Sequence, residues 1–332
     1  HRAVRRFFMQ GIKPCPTERP LSWSLLLMED WDPVAASTYS VPALRIQQTN
    51  HQPSTNHRTN SLPPTPELLI FAAMQKKEKT GLVLSGGAIR GIAHLGVLKF
   101  LQEAEIEPDI IAGASAGALV GAFYAAGYTA EESLAFFLKN KPITWRNYAR
   151  RKPGILVFDR FAQSLAEQFP VDQFSALKRP LFITRTNLET GLGEIIDQGP
   201  LIKNLLASAA FPLLFAPIEI NGVLYSDGGI TNNFPIEPLL PLCEKTLGIY
   251  VNPLPLKPAA KLKTAFTVAE RAFQISVTQT SLPKFKECNM VIIPKELEEY
   301  SLINTRRIKE IFQIGYQAAF RERKALEELF AK

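Results

Sequence analysis

Three features of this 332-residue sequence predict an α/β layered domain with a mainly parallel sheet. Short apolar runs end in small residues, stretches of helical apolar spacing lie between them, and a small-residue turn closes each of the first two runs. GLVLSG (81–86) is a buried strand by this pattern, and GIAHLGVLKFLQEAEI (91–106) follows it with helical spacing. DIIAGAS (109–115) is a second buried strand, and AGALVGAFYAAG (116–127) is a small-residue helix stopped by Gly127. Later strands are predicted at LFITRTNL, GEIID and TLGIYV. Asn221-Gly222 is a hairpin turn between APIEI and VLYSD. Helices are predicted over 200–208, 264–280 and 304–330, and no internal repeat is present.

The segment 1–73 reads differently from the rest. It lacks sustained periodicity, and QQTNHQPSTNHRTNSLPPTPE is polar and proline-rich, a composition that cannot offset its ordering entropy by burial. The chain begins with His1, and Met74 opens a short charged lead into the first apolar strand. Residues 1–73 are therefore expected to be a disordered leader or upstream sequence translated in error, with a targeting or regulatory arm as the alternative. Residues 74–332 are expected to form one domain, with its core over 81–300 and a closing helix over 304–330.

At 46% hydrophobic and 21% charged residues, the composition is that of an ordinary globular protein. Cys15, Cys243 and Cys288 are too few and too scattered for a disulfide framework or a zinc site, so a reducing compartment and no metal are expected. The net charge of +7 is spread along the chain. It favours anionic surfaces such as lipid headgroups and gives no nucleic-acid signature. No apolar run approaches the length of a membrane span, and LSWSLLLM is cut short by Glu29 and Asp30. A cytoplasmic protein, peripheral to membranes, is the expected result.

The chemistry concentrates at two turns. Gly113-Ala114-Ser115-Ala116-Gly117 is a G-x-S-x-G pattern between a predicted strand and a predicted helix. Such a turn presents the serine hydroxyl, the glycines admit close backbone approach, and the helix start favours an oxyanion. Ser85-Gly86-Gly87-Ala88-Ile89-Arg90-Gly91 closes the first strand. Its small residues can aim amide groups at one spot. A dinucleotide loop would need a central glycine where Ala88 stands, and an acidic residue after the next strand. An oxyanion hole beside a serine turn fits better.

A nucleophilic serine needs a base. His1, His51 and His57 lie in the leader, and His94 precedes Ser115 by twenty-one residues. The usual order, acid and then histidine after the serine, is impossible here. His94 is read as a structural residue near the start of a packed helix. A carboxylate must then act. Asp227, in Tyr225-Ser226-Asp227-Gly228-Gly229, is the candidate, although aspartate before glycine is often only a turn residue.

With these elements in this order, the sequence resembles the patatin-like phospholipase family. LVLSGGAIRGIAHLGVL looks like the family's glycine-rich segment, GASAG like its nucleophile elbow and DGG like its D-G-A/G signature. Asn232-Asn233-Phe234-Pro235 and ASAAFPLLFAPI also resemble bacterial members, and the likeness covers about 81–300. It implies a three-layer α/β/α fold and a serine lipid acyl hydrolase of phospholipase A or lysophospholipase type, working without metal or organic cofactor. It further implies a Ser115 nucleophile, Asp227 as base, and oxyanion donors at Gly86, Gly87 and Ala88. Arg90, Gly91, Gly113, Gly117, Gly228 and Gly229 are the supporting motif residues. Ala88 departs from the family's third glycine, and its Cβ is expected to narrow the acyl slot.

Phe136-Phe137 through Trp145, Tyr148, Arg150, Arg151 and Lys152 mix aromatic and basic residues, as a lid resting on anionic lipid would. A solvated loop with core aromatics is the alternative. The basic residues of 304–330 are expected to face solvent on an amphipathic helix. A lipid-binding protein on an inactive scaffold, and an acyltransferase or thioesterase using the same acyl-serine, remain rival functions.

Overall fold

A computed structural model of the protein describes residues 79–142, 154–212 and 214–331. The expectations for residues 1–73 and for Trp145 to Lys152 fall outside these residues. All described residues belong to the unit Pro64–Lys332.

Eight strands form one sheet: β1 Thr80–Leu84, β2 Ile110–Ala114, β3 Leu181–Asn187, β4 Gly193–Ile196, β5 Ile218–Ile220, β6 Val223–Asp227, β7 Lys245–Ile249 and β8 Met290–Ile292. β3, β2, β1, β7 and β8 are successive parallel neighbours, while β4, β5 and β6 join antiparallel. The sheet is mixed and its centre is parallel. Its central strands are apolar on both faces because both faces are covered. Leu82, Leu84, Ile111, Ile183 and Ile249 point into one large cluster. Val83, Ile110, Ala112 and Tyr250 point the other way, onto Phe234, Ile236 and Leu239.

The helices are α1 Ile92–Glu103, α2 Ala116–Ala126, α3 Ala130–Lys139, α4 Asp159–Gln168, α5 Leu201–Ser208, α6 Ala265–Ser281, α7 Ile308–Arg321 and α8 Arg323–Phe330. Buried side chains of α1, α2 and α7 fill the larger cluster. α1 and α7 approach so closely that a Cβ on Gly96 would run into the Phe312 carbonyl, and one on Gly315 into the Ala93 carbonyl. Gly127 ends α2 in the left-handed conformation, φ 91°, and Asn221-Gly222 turns the β5–β6 hairpin with φ of 53° and 82°.

The predicted elements recur with their ends shifted by up to four residues. Three differences have physical causes. The helix predicted over 304–330 is two, with Glu322 at φ −96°, ψ 12° between them. No element is predicted over 130–139, yet α3 stands there behind a capping box in which Thr129 and Glu132 satisfy each other's amides. Phe136 and Phe137, placed by the sequence at the start of a lid, lie on α3 instead. They are buried against Phe123, so this part of the segment belongs to the core. The basic residues Arg306, Arg307, Lys309, Arg321, Arg323 and Lys324 are exposed, as expected.

Candidate active site

The site forms where two strands meet end to end. β3 pairs with β2 through Ala114↔Thr184 and with β6 through Arg185↔Asp227. β4 pairs with β3 over Ile183 to Thr186, overlapping both registers, so it occupies the opposite edge. β2 and β6 therefore share one edge of β3 and run toward each other. The residue after β2 and the last residue of β6 are brought together by that register.

Those residues are Ser115 and Asp227. Ser115 Oγ donates to Asp227 Oδ2 at 2.6 Å, and the two residues are 7% and 2% exposed. Ser115 sits just before α2 with φ 51° and ψ −120°, a conformation that non-glycine residues rarely adopt. The turn can be this tight because Gly117 packs against the end of β1, where a Cβ would run into the Leu84 and Ser85 carbonyls. Gly113 lies opposite on β2, facing the backbone of Gly117.

Asp227 is fixed on all sides. Its Oδ1 accepts from the Gly229 amide at 2.7 Å, its own amide donates to the Ala210 carbonyl at 3.1 Å, and its carbonyl accepts from Thr186 Oγ1 at 2.8 Å. Burial pushes its carboxyl up to about 7, against the opposing pull of the Ser115 and Gly229 hydrogen bonds. Gly228 follows it against the Thr184 carbonyl.

At the end of β1, the Gly86 amide donates to the Asn233 carbonyl at 3.2 Å. That amide, expected as an oxyanion donor, is therefore already engaged by a backbone carbonyl. Among the described residues, the amides of Gly87 and Ala88 have no acceptor. Ala88 takes φ 47°. Asn252 Nδ2 holds the Gly86 carbonyl, and Ser85 Oγ accepts from the Val251 amide at 3.0 Å. Arg90 lies behind the turn with Nε on the Tyr300 carbonyl at 2.8 Å, and burial lowers it to about 10. Gly91 packs against Ala116 at the start of α2.

His94 is fully buried on α1, with Nε2 donating to the Ser85 carbonyl at 2.8 Å. Burial lowers it to about 4, so it is neutral at pH 7. Its recorded partner is the strand end, not Ser115, in keeping with its reading as a structural residue. Among the described residues no cluster of His, Cys, Asp or Glu could hold a metal ion.

Two chambers open on Ser115. One is an apolar cleft of about 80 Å³, walled by Ile89, Leu119, Val120, Phe137, Phe158 and Phe215. Ala88 also lines it. The second, about 10 Å³, is lined by Asp227, Asn233, Asn252 and Gln274 with Phe273 and Leu302. Ser115, Ala88 and Phe211 border both chambers.

One contact carries no motif in the sequence: the Ser115 amide donates to Ser208 Oγ at 2.9 Å. Ser208 ends α5, fully buried, and two residues on the Ala210 carbonyl accepts from both Asp227 N and Ser226 Oγ. The ASAAF stretch therefore braces both partners. A small buried serine inside an apolar helix end was the available signal.

Residues 82–240 match the family model described as patatin-like phospholipase. Among curated proteins it is similar to the lysophospholipase NTE1 of Kluyveromyces lactis, 24% identical over 83% of this chain and 21% of that protein. An uncharacterized NTE family protein of Mycobacterium bovis is 32% identical over 48% of this chain and 45% of its own length. The matched region is less than half of each of these relatives. Among solved structures, VipD from Legionella pneumophila aligns with a TM-score of 0.46 at 16% identity, over 76% of this chain and 67% of that one.

Proposed function

We propose that this domain hydrolyses fatty-acyl esters of lipids through an acyl-Ser115 intermediate, with Asp227 as the base. The observation that carries the reading is the buried 2.6 Å hydrogen bond from Ser115 Oγ to Asp227 Oδ2. An aspartate near its ordinary value of about 3.9 is a weak base. Raised to about 7, Asp227 is better matched to a proton-transfer role and remains partly ionised at neutral pH.

Ser115 Oγ attacks the ester carbonyl as its proton passes to Asp227, and the Gly87 and Ala88 amides receive the oxyanion. Each such donor contributes about 3–4 kcal/mol to the transition state. The alcohol leaves with the proton from Asp227. Water then adds to the acyl carbon, giving its proton to Asp227, which passes it to Ser115 Oγ as the acyl–oxygen bond breaks and the fatty acid is released. The apolar cleft beside Ser115 suits the acyl chain. No step calls for a metal or an organic cofactor. The net charge of +7 and the exposed cations of α7 and α8 support substrate uptake at an anionic membrane surface by a cytoplasmic protein.

The test joins labelling to product analysis. A fluorophosphonate probe should modify Ser115, and the protein should release fatty acid from a panel of phospholipids, lysophospholipids, triacylglycerols and short p-nitrophenyl esters. The Ser115→Ala protein is the blank. Absence of both labelling and hydrolysis would remove the reading in favour of a lipid-binding role. An acyl-enzyme that transfers to an added alcohol or thiol but not to water would replace hydrolase with acyltransferase.

A further inference from the structure

The second chamber, about 10 Å³, has room for about one water. Its border nevertheless holds more polar groups than its own bonds use. Asn233 and Gln274 are 3% and 6% exposed. The Nδ2 of Asn233 has no acceptor, and among the described residues the Gln274 carboxamide has no hydrogen-bond partner. Buried amides normally find partners, and a water making two to four hydrogen bonds is a common one. Two glycines show where Asn233 stands. A Cβ on Gly86 would meet Asn233 Oδ1 and Ser115 Cβ, and one on Gly229 would meet Asn233 Oδ1 and Asp227 Oδ1. The Asn233 carboxamide therefore lies beside both Ser115 and Asp227. Gln274 reaches the same border from α6, among the apolar Phe273, Val277 and Leu302. Asn252 Nδ2 is already bound to the Gly86 carbonyl.

We propose that this chamber seats the water that cleaves the acyl-enzyme, and that Asn233 and Gln274 are the positioning residues that hold it. In the free protein Asp227 Oδ2 accepts from the Ser115 hydroxyl. Acylation removes that hydrogen and opens Oδ2 to a new donor. The Gly87 and Ala88 amides, which also border the chamber, are then taken by the acyl carbonyl oxygen. Asp227, Asn233 and Gln274 are left for the water. It donates one hydrogen to Asp227 Oδ2 and the other to the Gln274 carboxamide oxygen, and it accepts from Asn233 Nδ2. Its remaining lone pair is free to bond to the acyl carbon. As that bond forms, the water's proton passes to Asp227. The bond from the acyl carbon to Ser115 Oγ then breaks, and Oγ takes the proton from Asp227.

This inference rests on the hydrolase reading, and its test separates the two. The purified full chain is mixed rapidly with p-nitrophenyl butyrate, whose activated leaving group makes acylation fast. Release of p-nitrophenol reads acylation. Loss of butyryl mass from Ser115, followed by mass spectrometry of quenched samples, reads deacylation. Gln274→Met keeps the length of the side chain without its carboxamide. In this variant deacylation should slow by roughly tenfold or more, as expected for one hydrogen bond. Acylation should stay within a few-fold of wild type, so that butyryl-Ser115 accumulates. A merely structural residue would slow both steps together. Asn233→Ala serves where the methionine variant does not fold. Unchanged deacylation, or equal slowing of the two steps, overturns the water site and leaves the hydrolase standing. Absence of p-nitrophenol release by the wild type overturns both.

Discussion

The turns that close β1 and β2 are built alike and put their strain to different uses. Each ends a central parallel strand and leads into a helical turn, and each holds a non-glycine residue at positive φ: Ala88 at 47° and Ser115 at 51°. At Ser115 the amide is tied to Ser208 and the side chain is presented to Asp227. At Ala88 the amide is left open and the side chain only lines the cleft. Strain at the second turn delivers a side chain, and strain at the first delivers backbone. On the proposed reading, residue identity matters more at 115 than at 88.

The sharpest break of this contrast is Ser115→Ala, which should lower ester hydrolysis by at least about 10³-fold while the thermal unfolding curve stays cooperative. Gly117→Ala attacks the turn itself. A Cβ driven into the Leu84 and Ser85 carbonyls should cost about 3 kcal/mol in urea unfolding. Ser208→Ala removes the acceptor of the Ser115 amide and should cost about 1–3 kcal/mol, with kcat falling more than KM rises. The smallest effect belongs to the first turn. Ala88→Gly relieves the positive φ, so stability should rise by up to about 1 kcal/mol, with hydrolysis within a few-fold of wild type.

The pH response separates Asp227 from its surroundings. Its folded value, about 7, lies above its ordinary 3.8, so the folded state holds a proton that the unfolded state has released between these values. Its contribution is fully present below about 4 and is lost as pH rises through about 7. Hydrolysis should move the opposite way, rising as the carboxyl ionises. His94 acts in the reverse sense, since its value is lowered from 6.5 to about 4 and its contribution is lost as pH falls through that range. Urea titrations of wild type and Asp227→Asn from about pH 4.5 to 7.5 isolate the aspartate, because both proteins keep His94. The wild type should lose stability relative to the variant as pH rises.

The elbow was legible in the sequence because its requirements are local: a strand, small residues around Ser115, and a helix. The hairpin at Asn221-Gly222 was legible for the same reason. Asp227 was not legible from its neighbours, since aspartate before glycine reads as a turn. What makes it a partner is the register that sets β2 and β6 end to end along β3, a relation between residues 112 positions apart. Counting histidines, and the family resemblance, pointed to it from outside. The turn after β1 was half legible, because no local pattern shows that the Asn233 carbonyl takes the Gly86 amide. Ser208 and Gln274 lie on helices whose faces toward the site are set by packing alone.

The most direct test is the rate of ester hydrolysis by Asp227→Asn beside wild type, with circular dichroism confirming the fold. Asparagine keeps the shape of the side chain and can still hydrogen-bond Ser115, but it cannot accept the serine proton as a base. A loss of about 10³-fold or more in kcat is the expected result. Full activity in the folded variant would contradict the pairing of Ser115 with Asp227.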